Sequence, residues 1–174
     1  MLEVEVRSFI TKSQYNSFLK FFKKKGKFLN RENQTTYYFS GSHDLRIQKN
    51  DNFAKLWLKG GKIHDKYRED IEVKCDKEDF EKLESLLVMM GFQVKIKWFR
   101  KRNNFLWEGT KVSVDFTRGY GYIIEFEKIV PSIKKEKTYK LLLEKAKDLG
   151  IMVTKREEFD KKFNYYKNNW KRLI

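Results

Sequence analysis

The sequence predicts an α+β fold in which antiparallel strands carry helices on their apolar side. Segments with a period of two, charged on one face and apolar on the other, recur through the first 130 residues. Short turns separate most of them, which is typical of antiparallel pairing. Stretches with apolar residues at helical spacing interrupt the strands twice and follow them twice. The charged faces then point either to water, in an open sheet, or into the lumen of a closed barrel.

The first half of the chain alternates strands with amphipathic helices. Glu3, Glu5 and Arg7 project from one face of the first strand, and Leu2, Val4 and Val6 from the other. Ser13 is the predicted cap of a helix that reaches about Lys25 and ends at Gly26. The predicted elements are a strand at 2–10, this helix, strands at about 34–40, 44–49, 53–60 and 67–75, and a helix at 77–90 capped by Asp76.

The second half repeats the strand run and ends in helices. Gly109 and the turn Arg118 to Gly121 separate the strands. The predicted elements are strands at about 92–103, 105–108, 111–117 and 121–130, then helices at 135–149 and 155–172. The total is about eight strands and four helices.

The composition bounds the class of protein. With 174 residues, of which 40% are hydrophobic and 16% aromatic, the chain can bury a sizeable core and is not a disordered sequence. One proline and the lack of a Gly/Ser-rich linker predict a single domain. The lone cysteine, Cys75, excludes an internal disulfide and favours a cytoplasmic location. No apolar run approaches the roughly 20 residues of a membrane span, so no membrane partner is expected.

The charge balance indicates that a binding partner would carry negative charge. The net charge of +15 arises from 39 Lys and Arg residues against 24 Asp and Glu residues. Such an excess favours a polyanion, for example nucleic acid, a nucleotide or polyphosphate. Because lysine-rich surfaces also serve solubility, the charge alone does not select a function.

Carboxylates on two strands are candidates for a metal site. Glu3 and Glu5 share one strand face, and Glu125 and Glu127 share another. Asp115 ends a strand before the turn that leads to Glu125, so a hairpin would place it close to both glutamates. Carboxylate oxygens suit hard cations such as Mg²⁺ or Mn²⁺. A solvated charged face is the alternative explanation of each pair taken alone.

Basic side chains on the same type of face are candidates for binding phosphate. Arginine binds phosphate oxygens with two donors, and lysine supplies a point charge. Such a set could hold a triphosphate, whereas cross-strand ion pairs on a solvated face are the alternative. The six candidates are Arg7, Arg46, Lys59, Arg68, Lys95 and Lys97.

Other residues give weaker signals. His43 and His64 match no ligand spacing, and Cys75 has no evident partner base. Gly119-Tyr120-Gly121 is a tight turn and not a phosphate loop, because no helix follows it. Trp57 lies on the charged face, where its ring could stack against a nucleobase. The alternative is that Trp57 has only a structural role.

The order of these residues resembles one known family. Glu3-x-Glu5-x-Arg7 resembles the N-terminal Glu-x-Glu-x-Lys signature of the CYTH superfamily, the triphosphate tunnel metalloenzymes. Later segments resemble the family's strands in the same order, over roughly residues 2–130. Gln34 to Phe39 resembles the family's Gln-x-Asp-x-Tyr-Phe, Leu45-Arg46-Ile47 resembles its Leu-Arg-Ile-Arg, and Leu56 to Gly60 resembles its Leu-Thr-x-Lys-Gly. Arg68 to Glu72 resembles its Arg-x-Glu-x-Glu, Lys95-Ile96-Lys97 resembles its Lys-x-Arg, and Val114 to Glu127 resembles its closing Leu-Asp, Gly-x-Gly and Glu-x-Glu.

Five positions depart from the family pattern. Arg7 and Lys97 exchange one basic residue type for another and so keep the charge. Gln48 stands where the family has an arginine, which removes one phosphate donor. Thr36 replaces an aspartate, and Trp57 replaces a threonine and could narrow the pocket for a nucleotide.

The resemblance implies a fold and a site. The implied fold is an eight-stranded antiparallel β-barrel, the triphosphate tunnel, with helices packed outside. It forms one CYTH-like domain over residues 1–174, with tunnel strands at about 2–130 and C-terminal helices at about 135–172. The cofactor would be Mg²⁺ or Mn²⁺, with one ion binding the triphosphate and a second activating the nucleophile. The implied metal ligands are Glu3, Glu5, Asp115, Glu125 and Glu127; the phosphate-binding residues are Arg7, Arg46, Lys59, Arg68, Lys95 and Lys97; the catalytic residues are Glu5, Arg7, Lys59 and Glu127.

The resemblance leaves three functions open. Hydrolysis is favoured over the alternative, which is the cyclisation of ATP as in a class IV adenylyl cyclase. Water can enter any open tunnel, whereas cyclisation needs the purine and the ribose held in one pose. The expected partner is a triphosphate such as ATP, tripolyphosphate or thiamine triphosphate, or 5′-triphosphate RNA. A non-catalytic polyphosphate- or RNA-binding module is the third possibility, although such a module needs the bases and could lose the acids. The oligomeric state stays open, with a homodimer as one option.

Overall fold

The computed structural model describes residues 2–60, 67–68 and 70–174, and for residues 67, 68 and 70 it describes the backbone alone. The strands in these ranges are β1 (Leu2–Ile10), β2 (Lys27–Phe39), β3 (Asp44–Lys49), β4 (Ala54–Lys59), β5 (Tyr67–Arg68), β6 (Asp70–Cys75), β7 (Val94–Trp107), β8 (Thr110–Thr117) and β9 (Gly121–Val130). The α-helices are α1 (Lys12–Lys25), α2 (Phe80–Met89), α3 (Lys135–Asp148) and α4 (Arg156–Leu173). None of these described helices is long and apolar enough to cross a membrane.

The strands form one antiparallel sheet that curls back on itself. Its order is β5-β1-β9-β8-β7-β2-β3-β4-β6, so the two outermost strands are neighbours in sequence. Both belong to the single strand that the sequence predicts at 67–75, and counting them as one gives eight strands. A side-chain ion pair joins the two sides of the seam, since Glu3 Oε1 of β1 lies 3.4 Å from Lys59 Nζ of β4. The predicted α+β fold with an antiparallel barrel is confirmed.

The apolar faces of the strands pack under the helices. Val4 and Val6 of β1 are buried with Phe22 of α1 and Leu142 of α3 in the largest core cluster. On the other side of the barrel, Ile47 of β3 is buried beneath α2. The alternate residues of the same strands therefore point into the lumen, as the period of two predicts.

Helix α4 packs differently, because it contacts the inner face of the strands. Phe159, Phe163 and Tyr166 of α4 form a cluster with Tyr38 of β2 and Trp98 of β7. Tyr38 and Trp98 also line the central cavity, so they belong to the inner face. At this end of the barrel the lumen is aromatic and covered by α4.

Two strand boundaries differ from the predictions, each because partners on other strands decide them. β7 is one strand of 14 residues where two were predicted. The break was placed at Asn103-Asn104, but Asn103 Nδ2 donates to the Val114 carbonyl at 3.1 Å and Asn104 Nδ2 donates to Asn30 Oδ1 at 2.7 Å, so β8 and β2 satisfy these amides within the sheet. β2 begins at Lys27, earlier than predicted, because its first residues pair with β7.

The cap of α1 also differs from the prediction. Thr11, not Ser13, is the N-cap, and it forms a capping box with Gln14. The Thr11 hydroxyl accepts from the Gln14 amide at 3.2 Å, and Gln14 Oε1 accepts from the Thr11 amide at 2.9 Å.

Candidate active site

The inner face of the barrel encloses a cavity of about 350 Å³. Glutamates and bases from eight of the described strands line it, together with the aromatic residues beneath α4. Among the described residues, its charged lining consists of eight bases and six acids: Arg7, Arg46, Lys55, Lys59, Lys74, Arg100, Arg102 and Lys111, with Glu3, Glu5, Glu32, Glu72, Glu125 and Glu127. Charged groups of both signs therefore face one another in a confined space, which is costly unless they pair or bind a ligand.

Four of the predicted metal ligands line this cavity, and two of them lie directly opposite each other. Glu5 of β1 is the cross-strand partner of Glu127 of β9. Side chains at such positions have Cβ atoms about 4.5–5.5 Å apart, so two carboxylates there repel unless a cation lies between or beside them. Basic neighbours supply that charge, because Arg7 lies 3.4 Å from Glu5 and Lys111 lies 3.0 Å from Glu127.

The fifth predicted metal ligand, Asp115, is not among the residues that line the cavity. Its side chain is buried, and both of its oxygens accept hydrogen bonds from Arg102 at 2.6–3.1 Å. Arg102 also pairs with Glu125, so one guanidinium bridges two acids. Arg100 approaches Asp115 to 3.6 Å. This geometry makes Asp115 a positioning residue for Arg102; its predicted role as a metal ligand stays a prediction.

The charges around Glu125 shift its titration. Burial by itself would raise the pKa of Glu125, but the charges of Arg102, Arg100, Arg7 and Lys59 outweigh burial and lower it to about 2. Burial raises the pKa of Asp115 in the same cluster, against the opposing charge of Arg102. Arg102 stays cationic because both carboxylates raise its pKa further. Glu125 is therefore an anion at neutral pH, with Arg102 as its ion-pair partner.

Three of the predicted phosphate-binding residues line the cavity in defined poses. Asp44 accepts from Arg46 Nε at 2.7 Å, and the Arg46 guanidinium lies over the Tyr38 ring at 4.3 Å. Lys59 Nζ lies 4.5 Å from the centre of the Trp57 ring. Arg7 of β1 is the third. Because these cations are already oriented, binding an anion would cost little conformational entropy.

The predicted placement of Lys95 and Lys97 is wrong. Both project from the outer face of β7, where Lys97 lies 3.6 Å from Glu84 of α2 and 4.0 Å from the centre of the Tyr37 ring. Lys95 lines a separate surface cavity near the β2–β3 loop. The side chain of Arg68 lies outside the described residues, although its backbone pairs with Glu3.

The inner face of β7 carries Arg100 and Arg102 instead, and sequence reasoning missed both. They have the same basic-x-basic spacing as Lys95-x-Lys97 but the opposite parity along the strand. Trp98 shares their parity, so one aromatic residue known to face inward would have shown the correct register. The pattern could have revealed them, because the whole segment 95–102 is rich in bases.

Five more charged lining residues were not predicted. Lys55 extends the basic face of β4, and Glu72 and Lys74 lie on the same face of β6. Period two could have identified these three. Lys111 and Glu32 gave no such signal, because Lys111 opens β8 beside a turn and Glu32 lies in a stretch of β2 without apolar alternation.

Trp57 faces the cavity, but cations already surround its ring. Lys55 Nζ lies 3.9 Å, and the Arg46 guanidinium 5.2 Å, from the ring centre. A nucleobase could stack on this indole only by displacing these cations. The buried Trp57 Nε1 and Arg100 Nε have no acceptor among the described residues. Both residues line the cavity, but these two donor atoms are themselves buried.

The acids fit a divalent cation by their chemistry. Mg²⁺ and Mn²⁺ take carboxylate oxygens and keep waters and substrate phosphates in their shells, and Glu3, Glu5, Glu125 and Glu127 supply such oxygens. Within the described part of the chain, no three carboxylate, imidazole or thiol groups converge on a ready-made ion site. Basic side chains contact these glutamates instead, so a cation would have to replace those contacts.

Comparisons with known proteins agree with this geometry. A family model described as the CYTH domain matches residues 1–158. A curated Methanocaldococcus jannaschii protein named "putative adenylate cyclase" is 33% identical over 164 residues, covering 87% of this chain and 91% of the relative.

Solved structures share the fold. A conserved hypothetical protein from Pyrococcus furiosus has a TM-score of 0.73 and 27% identity, with 86% of this chain and 91% of that one covered. A Hippeastrum protein whose description is "putative adenylyl cyclase HpAC1 … reveals a dominant triphophatase activity" has a TM-score of 0.66 and 20% identity, covering 86% of this chain and 88% of that one. The barrel, its charged lumen and the family match lead to one conclusion: the chain belongs to the CYTH family.

Proposed function

We propose that the protein is a divalent-metal-dependent hydrolase of inorganic or organic triphosphates that acts in the charged lumen of the barrel. The observation that carries the proposal is the coexistence of four glutamates and oriented bases in one cavity of about 350 Å³. A binder of polyanions needs the bases alone, because carboxylates repel phosphate. The acids are understandable if a cation binds between them and the substrate.

The side chains divide into two roles under this proposal. Arg7, Arg46 and Lys59 hold the phosphates and offset the charge that spreads over the phosphoryl oxygens, with Arg100 and Arg102 beside them. Glu3, Glu5, Glu125 and Glu127 would hold the Mg²⁺ or Mn²⁺. When bound, such an ion supplies charge neutralisation and activation of a water. Glu5 and Glu127 lie opposite each other, so they are the residues on which we expect turnover to depend most.

Hydrolysis is the proposed reaction because lysine side chains crowd the Trp57 ring in the lumen. Cyclisation of ATP requires the adenine and ribose in one fixed pose. The Trp57 ring could hold a nucleobase, but Lys55 and Lys59 lie within 4.5 Å of its centre. Water needs no such site. The description of the Hippeastrum protein, a cyclase-like chain with dominant triphosphatase activity, supports the same choice. The name of the M. jannaschii relative favours adenylyl cyclase as the second candidate.

Product analysis tests the proposal. The protein is incubated with Mg²⁺ or Mn²⁺ and, separately, with ATP, tripolyphosphate, thiamine triphosphate and 5′-triphosphate RNA, and the products are resolved by ion-exchange chromatography. Orthophosphate release supports the hydrolase, whereas cyclic AMP and pyrophosphate from ATP would establish the cyclase. Binding of tripolyphosphate without turnover under either metal would leave a polyanion-binding module, and the hydrolase proposal would be abandoned.

A further inference from the structure

Trp57 lies at the centre of a group of bases. Lys55, Trp57 and Lys59 alternate along β4, so their side chains share the lumen face, and Arg46 is the cross-strand partner of Trp57 on β3. Three cationic groups consequently reach the indole: Lys55 Nζ lies 3.9 Å, Lys59 Nζ 4.5 Å and the Arg46 guanidinium 5.2 Å from the ring centre. All four residues line the cavity.

Packing alone does not account for this tryptophan. Trp57 belongs to none of the three apolar clusters that the described residues form, and its side chain is only partly buried. The family pattern has a threonine at this position, so the indole is a feature of this chain. A large aromatic ring in a lumen lined by charged groups therefore has a reason other than filling the core.

The three bases around the ring also have carboxylate partners. Glu72 accepts from Lys55 at 2.6 Å, Glu3 from Lys59 at 3.4 Å and Asp44 from Arg46 at 2.7 Å. A carboxylate orients a base, but its negative charge repels a phosphate. The indole ring attracts cations through its quadrupole and has no net charge, so it holds bases without opposing an anion.

The ring also acts against the repulsion among the bases. Two lysines and an arginine within 5.2 Å of one ring centre repel one another, and each lysine has a flexible four-carbon stem. Without the ring, we expect these side chains to spread apart or to lie closer to their acids. A bound phosphate would then have to order them again, which costs affinity.

We propose that Trp57 is a positioning residue that gathers Lys55, Lys59 and Arg46 into one grip for the phosphates of the substrate. The inference deepens the proposed function and rests on it insofar as the cavity binds a triphosphate. Trp57 acts through the bases and does not itself bind phosphate. Its contribution to affinity therefore depends on the bases being present, whereas the contribution of a residue that only fills space does not.

The affinity for tripolyphosphate tests the inference. Dissociation constants are measured by calorimetry with a chelator present, so that neither metal nor turnover contributes. We expect Trp57→Leu to weaken binding roughly tenfold, because three side chains lose their fixed position. Trp57→Phe keeps a weaker aromatic face and should weaken binding only about threefold.

A double-mutant cycle shows whether Trp57 acts through its cations. In a Lys55→Met background one of the three contacts is already lost, so the factor for Trp57→Leu should shrink from roughly tenfold to roughly fourfold. Lys49→Met is the matched control, because Lys49 pairs with Glu81 of α2 at 2.6 Å and its loss makes the same change in net charge. In that background the full factor should remain.

Four results would overturn the inference. They are an unchanged affinity in Trp57→Leu, equal losses in Trp57→Leu and Trp57→Phe, the same Trp57→Leu factor in both lysine backgrounds, and a wild type with no measurable affinity for tripolyphosphate. Should Trp57→Leu fail to fold, as judged by circular dichroism, the cycle is run with Trp57→Phe and the comparison of backgrounds decides. A wild type that binds tripolyphosphate but hydrolyses no triphosphate defeats the proposed function and leaves this inference standing.

Discussion

At the scale of single residues, Arg102 shows how the lumen tolerates so many charges. Its guanidinium bridges Asp115 and Glu125, and its side chain is 13% exposed. Burying an arginine is costly, but two carboxylates compensate for it here, and each of them would be costly without it. Arg102 is therefore the member of the cluster on which both acids depend.

Removing Arg102 should destabilise the fold. Arg102→Met removes the guanidinium that bonds both oxygens of the buried Asp115 and leaves only the longer contact of 3.6 Å with Arg100 among the described ion pairs, so we expect the free energy of unfolding to fall by about 3 kcal/mol. Urea unfolding followed by circular dichroism measures the change. The double variant Arg102→Met/Asp115→Asn should recover part of the loss, since it removes the stranded charge. Equal stability of the single and double variants would show that Asp115 does not depend on Arg102.

Acids and bases of the lumen should affect different kinetic constants. Under the proposed function Glu127 helps to hold the metal ion, so we expect Glu127→Gln to cause a large loss in kcat. Arg46→Ala removes a charge-assisted hydrogen bond to bound phosphate, worth about 1.5–3 kcal/mol, and should mainly raise KM. Steady-state kinetics with tripolyphosphate separate the two effects, and Glu84→Gln controls for net charge. A normal kcat in Glu127→Gln would remove Glu127 from the site.

At the scale of elements, α4 decides where the tunnel ends. Its aromatic residues cover the inner faces of β2 and β7, and Tyr166 donates to the Lys97 carbonyl at 2.9 Å. Burial raises the pKa of Tyr166 to about 12. The strands thus keep their period of two, while this helix converts one end of a charged lumen into an apolar wall.

The attachment of α4 should weaken at alkaline pH. The raised pKa of Tyr166 means that the folded state keeps the phenol neutral, so its contribution is complete below about pH 10 and is lost as the pH rises towards about 12. Tyr166→Phe should lower stability by about 1 kcal/mol at neutral pH and reduce this alkaline loss. Urea unfolding at about pH 8 and about pH 11 measures both.

Tyr165→Phe is the matched control for that experiment. Tyr165 is the next residue on the same helix and is 54% exposed, so its substitution should change neither quantity. An alkaline loss that is identical in wild type and Tyr166→Phe would contradict the prediction.

At the scale of the whole molecule, the chain has a net charge of +15, and the described lining of its cavity has eight bases and six acids. Under the proposed function, the positive surface attracts an anionic substrate towards the lumen, where the lining bases hold it. Three consecutive lysines, Lys23 to Lys25, end α1 and add to this outer field.

Salt should therefore slow the capture of an anionic substrate. The Debye length is about 10 Å at about 0.1 M salt, so kcat/KM for tripolyphosphate should fall as NaCl is raised beyond that point, while kcat changes less. Replacing Lys23, Lys24 and Lys25 with glutamine should make the dependence shallower. Kinetics across a salt series measure the slope. A salt-independent kcat/KM would show that long-range steering plays no part.

The architecture could be predicted from the sequence, because apolar and charged residues alternate with a period of two and the charged residues occur in a characteristic order. The alternation in segments such as Leu2 to Arg7 and Ile123 to Glu127 requires a sheet with one charged and one apolar face, and short turns require antiparallel pairing. Four acids and three bases of the cavity follow from that parity. These features could be predicted because strand geometry relates neighbouring residues in a fixed way, without reference to distant parts of the chain.

Only the tertiary structure decided which parity faces inward on β7, how far β2 extends and where α4 packs. Lys95 and Arg100 belong to equally basic segments of one strand, and their faces differ only because α2 covers one side and the lumen the other. The hydrogen bond from Asn50 to Glu32 and the hydrogen bonds of the buried Asp115 likewise depend on partners in the β3–β4 turn and on β7. A local pattern carries no information on such contacts, because they arise when distant strands close into a barrel and bring their side chains within reach.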